Sequence, residues 1–373
     1  MRILYVTNGI TGSGGLERVL SVKASMLAED FGYEVHIISL NEPGKETFFE
    51  FDPRVIRHSI TVTGNPFCYV KSYVRNIKKK IASIEPDIIS VCDDGLKGFF
   101  LPHILGSKIP LIYERHVSKQ IEAGAGRGLR RRLLTRCKWA LMEKLAANFS
   151  KFIVLTEGNR KEWRSLKNLE VIPNPLPFLP ENGADLSARN IIAVGKQSYQ
   201  KGYDLLLTSW SLIKDEVKSK WELHVFGRKD PAIGLEELAE RLGVSETVFF
   251  HGPRINIGDS YKNSSIFVLS SRFEGFGMVI IEAMAYGLPV VSFDCPYGPA
   301  DIINDGYDGY LITNGDLVLF AEKLEALMKS EELRTQFGST GKASVQKYST
   351  KKIISIWNDL FINLTKSRNF KKN

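Results

Sequence analysis

Two glutamates, Glu274 and Glu282, stand at a spacing that can place two carboxylates around one ligand. Glu274 begins a Glu-Gly-Phe-Gly turn after an apolar run, and Glu282 lies in the apolar helix that the turn opens. Eight residues turn a helix through about 800°, so the two positions lie on neighbouring faces. Backbone N–H groups and the positive helix end at residues 275–279 form an anion site. The pattern predicts that one carboxylate contacts the reacting end of a ligand while the other binds hydroxyls near it.

The alternative is a surface helix that carries two solvated glutamates. Glu282 is flanked in the sequence by four apolar residues, Ile280, Ile281, Ala283 and Met284. A charged side chain is rare on such a buried helix. We therefore expect both glutamates to belong to a binding site.

A glycine-rich turn at residues 11–15 follows the first apolar run and precedes a helix. Turns of this kind are common, so the signal is weak by itself. The order G-x-G-G-L-E also departs from the G-x-G-x-x-G fingerprint of dinucleotide binding, which disfavours a nicotinamide-dependent dehydrogenase. Glu17 and Arg18 are predicted to be charges at the start of the helix.

Short Val/Ile-rich runs that alternate with helical stretches must position these residues. Near-continuous apolar strands separated by helices predict an α/β fold with parallel sheets covered on both faces. The predicted strands are 3–7, 35–40, 87–92, 111–114, 152–156, 190–195, 222–227, 247–252, 266–271 and 289–294. The predicted helices are 16–28, 68–84, 96–106, 128–148, 202–213, 235–243, 277–287 and a largely helical 316–366.

Four prolines in residues 171–187 interrupt the alternation and predict an interdomain linker. We expect a Rossmann-like domain at 1–178, a second at 189–350, and a C-terminal helix at 351–373 that returns towards the first domain. Residues 367–373 are expected to be a frayed tail. Ligands of such sheets bind outside the carboxyl ends of the strands, so a cleft between the domains is the expected site.

Length and composition are those of an ordinary protein of two or three domains. Of the 373 residues 43% are hydrophobic and 25% charged, which excludes disordered, collagen-like and small disulfide-stapled proteins. Four cysteines stand far apart without metal-ligand spacing and are expected to be free thiols. No run of 18 apolar residues occurs and the first apolar run is too short for a signal peptide, so we expect a cytoplasmic protein.

The segment E-G-F-G-M-V-I-I-E-A-M-A-Y-G-L-P-V-V at 274–291 resembles the E-x₇-E signature of glycosyltransferase family 4, the retaining GT-B glycosyltransferases. Residues 194–207 resemble the family's G-R-…-K-G segment, residues 14–20 its glycine-rich entry loop, and residues 295–312 the stretch after the E-x₇-E helix. The resemblance implies a GT-B architecture, in which two Rossmann-like domains face each other across a central cleft.

The resemblance implies roles for the signature residues. Glu282 would bind the ribose hydroxyls of a nucleotide-sugar donor, and Glu274 would contact the donor sugar near its reacting carbon. Gly275, Phe276 and Gly277 would lend backbone N–H groups to the donor.

The resemblance also implies roles for residues outside the signature. Lys196 and Lys201 would neutralise the pyrophosphate, although the first of this pair is usually Arg, whose bidentate fork Lys196 lacks. Gly14 and Gly15 would let the backbone approach the donor phosphates and the acceptor. Two solvated loop lysines are the alternative for the basic pair.

Histidine and aspartate residues end two strands of the first predicted domain. His116 matches a family histidine that points at the donor sugar, where it would bond a hydroxyl or stabilise developing charge; a loop histidine without a role is the alternative. Asp93 or Asp94 could deprotonate the acceptor in an inverting enzyme. The retaining resemblance argues against that role, so we interpret both as capping or loop residues.

The basic excess of the chain lies in its first half. Residues 1–180 hold 27 Lys/Arg and 18 Asp/Glu, whereas the other 193 residues hold 23 and 24. Residues 71–80 and 127–138 carry most of it, and Leu129, Leu133, Cys137, Leu141 and Leu145 add an apolar stripe to the second cluster. A basic amphipathic helix is typical of binding to an anionic membrane surface, and a docked helix with a solvated face is the alternative. No aromatic-basic platform accompanies the charge, so we expect no nucleic-acid partner.

The sequence therefore predicts a retaining glycosyltransferase that moves a sugar from a nucleotide donor, UDP-linked in our interpretation, to an acceptor hydroxyl. The expected acceptor is a lipid-linked glycan of surface polysaccharide assembly, met on the inner face of the cell membrane. No metal or other cofactor is expected, because no D-x-D motif occurs near the site. A nucleotide-sugar 2-epimerase and a non-catalytic nucleotide-sugar-binding protein stay open as alternatives.

Overall fold

The computed structural model describes residues 1–93, 95–106, 108–119 and 129–370, without the side chains of 129–132 and 368–370. The chain forms two compact units, one of Met1–Pro177 with Thr350–Asn373 and one of Phe178–Ser349. The boundary falls inside the predicted linker 171–187, but the first part of that segment is not a free linker. Ile172 and Leu176 are buried in the first unit.

The first unit is built on one parallel sheet of seven strands in the order β3-β2-β1-β4-β5-β6-β7. Its strands are β1 (Arg2–Thr7), β2 (Glu34–Leu40), β3 (Ile56–Ile60), β4 (Ile88–Cys92), β5 (Leu111–Arg115), β6 (Lys151–Val154) and β7 (Leu169–Val171). The chain changes direction across the sheet between the neighbours β1 and β4. In sheets of this kind the crevice at such a reversal is the usual ligand site.

The second unit repeats this plan with six parallel strands in the order β10-β9-β8-β11-β12-β13. Its strands are β8 (Asn190–Val194), β9 (Glu222–Phe226), β10 (Val248–His251), β11 (Ile266–Leu269), β12 (Val290–Asp294) and β13 (Gly309–Thr313). The reversal lies between β8 and β11, so the loops that follow these two strands leave the same edge side by side.

Helices connect the strands of both units. They are α1 (Gly15–Glu29), α2 (Pro66–Ile84), α3 (Leu96–Phe99), α4 (Leu101–Leu105), α5 (Leu129–Ala146), α6 (Glu157–Glu162), α7 (Tyr203–Ser211), α8 (Asp215–Lys218), α9 (Leu235–Arg241), α10 (Gly258–Lys262), α11 (Met278–Ala285), α12 (Pro299–Ile302), α13 (Leu317–Lys329), α14 (Glu331–Ser344) and α15 (Thr350–Phe370). Single 3-10 turns stand at Tyr199–Lys201, Pro231–Ile233, Ser245–Thr247 and Val345–Tyr348.

The first sheet is covered on both faces. Helices α1 and α15 pack on one face, where Leu20, Ala24 and Phe361 join the strand residues Ile3 and Ile112 in one apolar layer. Helices α2 and α5 pack on the opposite face in a second apolar layer that includes Tyr73, Ile77, Met142, Leu145 and Phe152. The last helix of the chain therefore completes the first unit.

The predicted fold class, α/β with parallel sheets, is confirmed, while several elements differ from the sequence pattern. The predicted helix 96–106 is two short helices, because Pro102 lacks the N–H that would continue the first of them. The stretch 316–366 is three helices, the second of which begins where the Ser330 side chain accepts the Leu333 N–H. Helix α15 continues to Phe370, so residues 367–370 of the predicted tail are helical, whereas 371–373 lie outside the described residues.

Candidate functional site

The loops after β8 and β11 carry the candidate residues of the second unit. Lys201 donates a hydrogen bond of 2.7 Å from its ammonium to Oε1 of Glu274, and the two side chains are 16% and 8% exposed. The Ser271 hydroxyl donates to the same oxygen at 2.6 Å. The structure thus brings the predicted basic and acidic groups into one ion pair at the strand ends.

Two glycines allow this approach of backbone and side chain. Gly202 has φ of +61°, and a Cβ there would lie 2.2 Å from the carbonyl oxygen of Ser270. Gly195 has φ of +154°, and a Cβ there would lie 2.7 Å from Cε of Lys201. A larger residue at position 202 would therefore displace the loop that holds the lysine, and one at position 195 would displace the lysine side chain itself.

Arg272 holds the two loops together, a function that the sequence pattern does not indicate. Its guanidinium donates to both carboxylate oxygens of Asp204, at 2.9 and 2.6 Å, and to the carbonyl of Tyr199 at 2.8 Å. It also lies over the Tyr199 ring, 4.1 Å from the centroid. Burial alone would raise the pKa of Asp204, but the Arg272 fork outweighs burial and lowers that pKa. The fork therefore fixes the loop of Lys201 against the loop of Glu274.

The glycine turn after β11 ends at the start of α11. Gly277 has φ of +93° and caps the helix, whose first backbone bonds leave the N–H groups of the initial turn without partners inside the helix. The Phe276 side chain is buried and packs edge-on against Tyr348. Phe276 thus anchors the turn through its ring, and the contact of the backbone N–H groups of Gly275, Phe276 and Gly277 with a donor stays a prediction.

Glu282 lies on α11 and is 2% exposed. Its Oε2 accepts a hydrogen bond of 3.1 Å from the hydroxyl of Tyr261, which is completely buried. The ring of Tyr286 stacks on Tyr261, with centroids 5.4 Å apart. A Cβ on Gly258 would lie 2.3 Å from the Tyr286 hydroxyl, so this glycine admits the stack. The aromatic pair holds the carboxylate in place, and the sequence pattern does not single out Tyr261.

Lys196, a predicted site residue, and Cys295, which the sequence does not single out, also follow strands of this sheet. Lys196 is exposed and forms no ion pair with any of the described residues. Cys295 is buried, and burial together with nearby Glu274 raises the pKa of its thiol, so the thiol stays protonated. Of the predicted basic pair, the structure holds only Lys201 in a fixed position.

The glycine-rich turn of the first unit is surrounded by two carboxylates. Glu42 accepts from the N–H of Ile10 at 2.9 Å and from the hydroxyl of Thr11 at 2.6 Å. Glu17 lies in the first turn of α1, as predicted, and an added Cβ on Gly14 would lie 2.6 Å from its Oε2. The close packing of Glu17 is therefore one reason for a glycine at position 14, and a role of Gly14 in ligand binding stays a prediction.

His116 follows β5, and its side chain is 6% exposed. Its Nε2 lies 3.4 Å from Oε2 of Glu114, and the same carboxylate contacts the ammonium of Lys23. Cys92, Glu114 and His116 offer ligand atoms within 4.8 Å of one another, the spacing of a metal site. Lys23 already supplies a cation to this carboxylate, so the donor set does not favour a metal.

Asp93 has the structural role that the sequence predicts. It is 1% exposed, and its Oδ1 accepts from the side chain of Asn8 at 2.9 Å and from the N–H of Gly95 at 2.7 Å. Asp94 lies outside the described residues.

Comparison with known proteins identifies the family. Residues 13–177 match the family described as Glycosyltransferase Family 4, and residues 179–344 match Glycosyl transferases group 1. The amylovoran biosynthesis glycosyltransferase AmsD of Erwinia amylovora is 32% identical over 96% of this chain and 99% of its own length. The chain belongs to glycosyltransferase family 4. 

Two further proteins resemble this glycosyltransferase over nearly its full length. One is a protein of Campylobacter jejuni, the GalNAc-alpha-(1->4)-GalNAc-alpha-(1->3)-diNAcBac-PP-undecaprenol alpha-1,4-N-acetyl-D-galactosaminyltransferase. It is 22% identical, and the match covers 96% of this chain and 97% of the relative's length. The solved structure of Anabaena Alr3699/HepE in complex with UDP-glucose has a TM-score of 0.76 at 17% identity, with 97% and 100% of the two chains covered. The fold of the glycosyltransferase is therefore GT-B, with two Rossmann-like domains of parallel strands. Among its described residues, none of the helices combines the length and apolar character that crossing a bilayer requires.

Proposed function

We propose that this glycosyltransferase moves a sugar from a UDP-sugar to a hydroxyl of a lipid-linked glycan, with retention of the anomeric configuration, in surface polysaccharide assembly. Three resemblances support the proposal. AmsD is named for amylovoran biosynthesis, the Campylobacter relative is named for a PP-undecaprenol glycan, and HepE binds UDP-glucose. The charges of the second unit supply the physical argument.

The observation that carries the proposal is the Lys201–Glu274 ion pair at the strand ends of β8 and β11. A nucleotide diphosphate needs positive charge where its leaving oxygen develops negative charge. The Lys201 ammonium and the N–H groups at the start of α11 supply that charge, and Glu274 keeps the ammonium in a fixed direction. Lys196 is exposed and would add only a mobile charge.

The remaining donor contacts follow from the residues that the family resemblance singles out. In this proposal Glu282 accepts the ribose hydroxyls, Gly275 and Gly277 offer backbone N–H groups, and Glu274 contacts the sugar. The first unit contributes His116 to the sugar and the glycine turn at Gly14 and Gly15 to the phosphates and the acceptor.

The hydrogen bonds of Asp93 support a reaction that retains the anomeric configuration. Inversion needs a carboxylate that is free to take a proton from the acceptor. Asp93 is buried and accepts bonds from Asn8 and Gly95, so it has a structural task instead. The proposed reaction also needs no metal, because Lys201 and the helix end take the charge of the leaving diphosphate. Transfer that continues unchanged in excess chelator supports this, and loss restored by Mg²⁺ contradicts it.

Two helices on one face of the first sheet offer a surface for the membrane that carries such an acceptor. On α2, Phe67 and Val70 are 77% and 60% exposed beside the basic residues of 71–80. On α5, Leu133 and Leu134 are 63% and 70% exposed. Exposed apolar side chains next to clustered lysine and arginine bind anionic lipid, at about 1 kcal/mol per basic residue near the surface.

The predicted apolar stripe of the second cluster divides into two parts. Leu133, Cys137 and Leu141 are exposed, whereas Leu145 is buried and docks α5 on the sheet together with Met142. Residues 127–128 and the side chains of 129–132 lie outside the described residues. We propose that the exposed part of the stripe makes the enzyme peripheral on the inner face of the cell membrane.

Co-sedimentation with vesicles tests the membrane proposal. We expect the protein to sediment with phosphatidylglycerol vesicles and not with phosphatidylcholine vesicles, and Phe67→Ser with Leu134→Ser to reduce the sedimented fraction. Val318→Ser is the matched control, because Val318 is 59% exposed in the second unit. Equal sedimentation of the double variant and this control would contradict the proposal.

A donor panel tests the reaction. UDP- and GDP-sugars are incubated with and without an undecaprenyl-diphosphate-linked glycan, and free nucleotide and glycan products are measured. We expect UDP release that depends on the acceptor, with an α-linked product from an α-linked donor. Donor binding without nucleotide release would indicate a binding protein, and a changed sugar without acceptor would indicate an epimerase. No release from any donor would contradict the proposal.

A further inference from the structure

One ionic group lies inside an otherwise apolar layer of the first unit. The side chains of Lys23 on α1 and Glu114 on β5 are 1% and 2% exposed and contact each other. The Ser90 hydroxyl donates to Oε1 of Glu114 at 2.5 Å. The layer around them consists of apolar residues of β1, β4, β5, α1 and α15. Apolar replacements of similar volume are often as stable as a buried ion pair, so this pair invites a functional explanation.

The Glu114 carboxylate of this ion pair also lies next to the side chain of His116. Residues two apart on a strand point to the same face, so Glu114 lies with Ile112 on the face that α1 and α15 cover. His116 follows the end of this strand and contacts Glu114 there. Nε2 of His116 is buried and has no well-aligned hydrogen bond to any of the described residues, and Oε2 of Glu114 lies 3.4 Å from it. One ring nitrogen is therefore next to Glu114, and the proposal below assigns the other to the ligand.

Aromatic rings close the group on the side of the helices. The Lys23 ammonium lies 3.9 Å from the centroid of the Trp357 ring on α15 and 5.0 Å from that of Tyr5 on β1. These rings favour the lysine cation where water is excluded. Burial alone would raise the pKa of Glu114, but Lys23 and His116 outweigh burial and lower the pKa to about 2. Glu114 is thus a carboxylate whose charge Lys23 already balances.

We propose that Glu114 is a positioning residue that holds the His116 imidazole in one tautomer and one direction for the donor sugar. This inference rests on the proposed function only in assigning His116 to the sugar. Lys23 balances the charge of the carboxylate, and the role of Glu114 in this proposal is to orient the ring. The titratable groups that face Glu114 are Tyr5 of β1, Cys92 of β4, Lys23 of α1 and His116 itself. Trp357 links the C-terminal helix to the same arrangement.

Two variants separate positioning from structural support. Glu114→Gln leaves the Lys23 cation buried without a counter-ion, so we expect lower stability and a kcat reduced about 10- to 100-fold with little change in donor KM. Lys23→Met with Glu114→Gln removes both charges and is expected to restore the unfolding temperature but not kcat. Recovery of kcat together with stability would overturn the proposal.

A double-mutant cycle tests whether Glu114 acts through His116. We expect Glu114→Gln to have little further effect on kcat in a His116→Ala background. Effects of Glu114→Gln that are equal in both backgrounds would overturn the proposal.

Imidazole ¹⁵N NMR of the wild-type chain tests the same arrangement without any enzymatic assay. His116 is assigned by the signal that His116→Ala removes. At pH 8 we expect one tautomer, protonated on the nitrogen that faces Glu114, and equal populations of both tautomers would overturn the proposal. A single tautomer in a chain that transfers no sugar would refute the proposed function and leave the positioning intact.

Discussion

The ammonium of Lys201 lies 2.7 Å from Oε1 of Glu274, although 73 residues separate them in the sequence. The pair exists because β8 and β11 are neighbours in the second sheet and their following loops leave it together. A largely enclosed cation that already has a counter-ion can bind a diphosphate only by sharing its charge. The two residues should therefore have opposite effects on nucleotide binding.

Glu274→Gln frees Lys201 from its counter-ion. We expect UDP to bind as tightly as in the wild type or up to about 10-fold more tightly, because the ammonium then interacts with the diphosphate alone. We also expect kcat to fall about 100-fold, since the carboxylate no longer contacts the sugar. Calorimetric titration with UDP and steady-state kinetics measure the two quantities. Weaker UDP binding in this variant would contradict the account.

Arg272→Lys removes the bidentate fork on Asp204 and the stacking on Tyr199. Lysine cannot replace that geometry, so we expect a loss of about 1 kcal/mol of stability and an unfolding temperature lower by about 2–4 °C. The donor KM should rise, because the loop of Lys201 loses its support. Arg54→Lys is the matched control, since Arg54 forms a similar fork on Asp52 in the first unit. Equal KM changes in both variants would exclude a role for the fork at the site.

Tyr261→Phe removes the hydrogen bond to Glu282. We expect UDP affinity to fall about 3- to 10-fold, because the carboxylate loses one of the contacts that hold it in position for the ribose. Affinity for 2′,3′-dideoxy-UDP, which lacks both hydroxyls, should hardly change. Tyr33→Phe serves as control, because its hydroxyl bonds Asn358 in the first unit. An equal loss of affinity for UDP and for 2′,3′-dideoxy-UDP would show that Tyr261 does not act through the ribose hydroxyls.

Each sheet has a pair of neighbouring histidines on the first two strands of its strand order, β3 and β2 in the first sheet and β10 and β9 in the second. His36 and His58 are 2.9 Å apart between β2 and β3, and His224 and His251 are 3.0 Å apart between β9 and β10. In the first pair, burial together with Lys80 and His36 lowers the pKa of His58. In the second pair, burial and His224 lower the pKa of His251.

Acid should therefore weaken both sheets. A histidine whose pKa is lowered by folding binds fewer protons than in the unfolded chain, so stability falls as pH drops below about 6.5. We expect the unfolding temperature to decrease between pH 7.5 and pH 5.5. His58→Asn with His251→Asn should flatten that decrease when calorimetric scans are compared. An unchanged pH dependence in the double variant would assign it to other groups.

The sequence pattern predicts the loops of the site better than their contacts. Lys201 and Glu274 each follow an apolar run and stand beside glycines, so the sequence predicts that both lie in turns at the ends of strands. Their ion pair depends on the strand order, which local periodicity does not contain. The same holds for Arg272 and Asp204, whose fork joins two loops 68 residues apart.

The sequence pattern does not predict three strands of the structure, β3, β7 and β13. β3 is Ile-Arg-His-Ser-Ile, an edge strand with half-exposed residues, and β7 has only three residues. β13 begins with Gly309 and also lies at an edge. Edge strands need no continuous apolar run, because one side of the strand faces no neighbour.

Glu114 shows a different limit of the sequence. Its strand is predicted, yet the burial of its carboxylate depends on Lys23, which lies 91 residues earlier on a helix. A carboxylate at the end of an apolar run is usually exposed to water. Only the packing of α1 and α15 on the sheet reveals that Glu114 is enclosed.

Titration of UDP into the wild type, Lys201→Met and Lys196→Met tests the central claim most directly, namely that the loops after β8 and β11 form the donor site. The account predicts binding of one UDP per chain, a loss of at least about 10-fold in Lys201→Met, and a smaller loss in Lys196→Met because that lysine is exposed and unpaired among the described residues. Wild-type affinity for UDP in Lys201→Met would contradict the account.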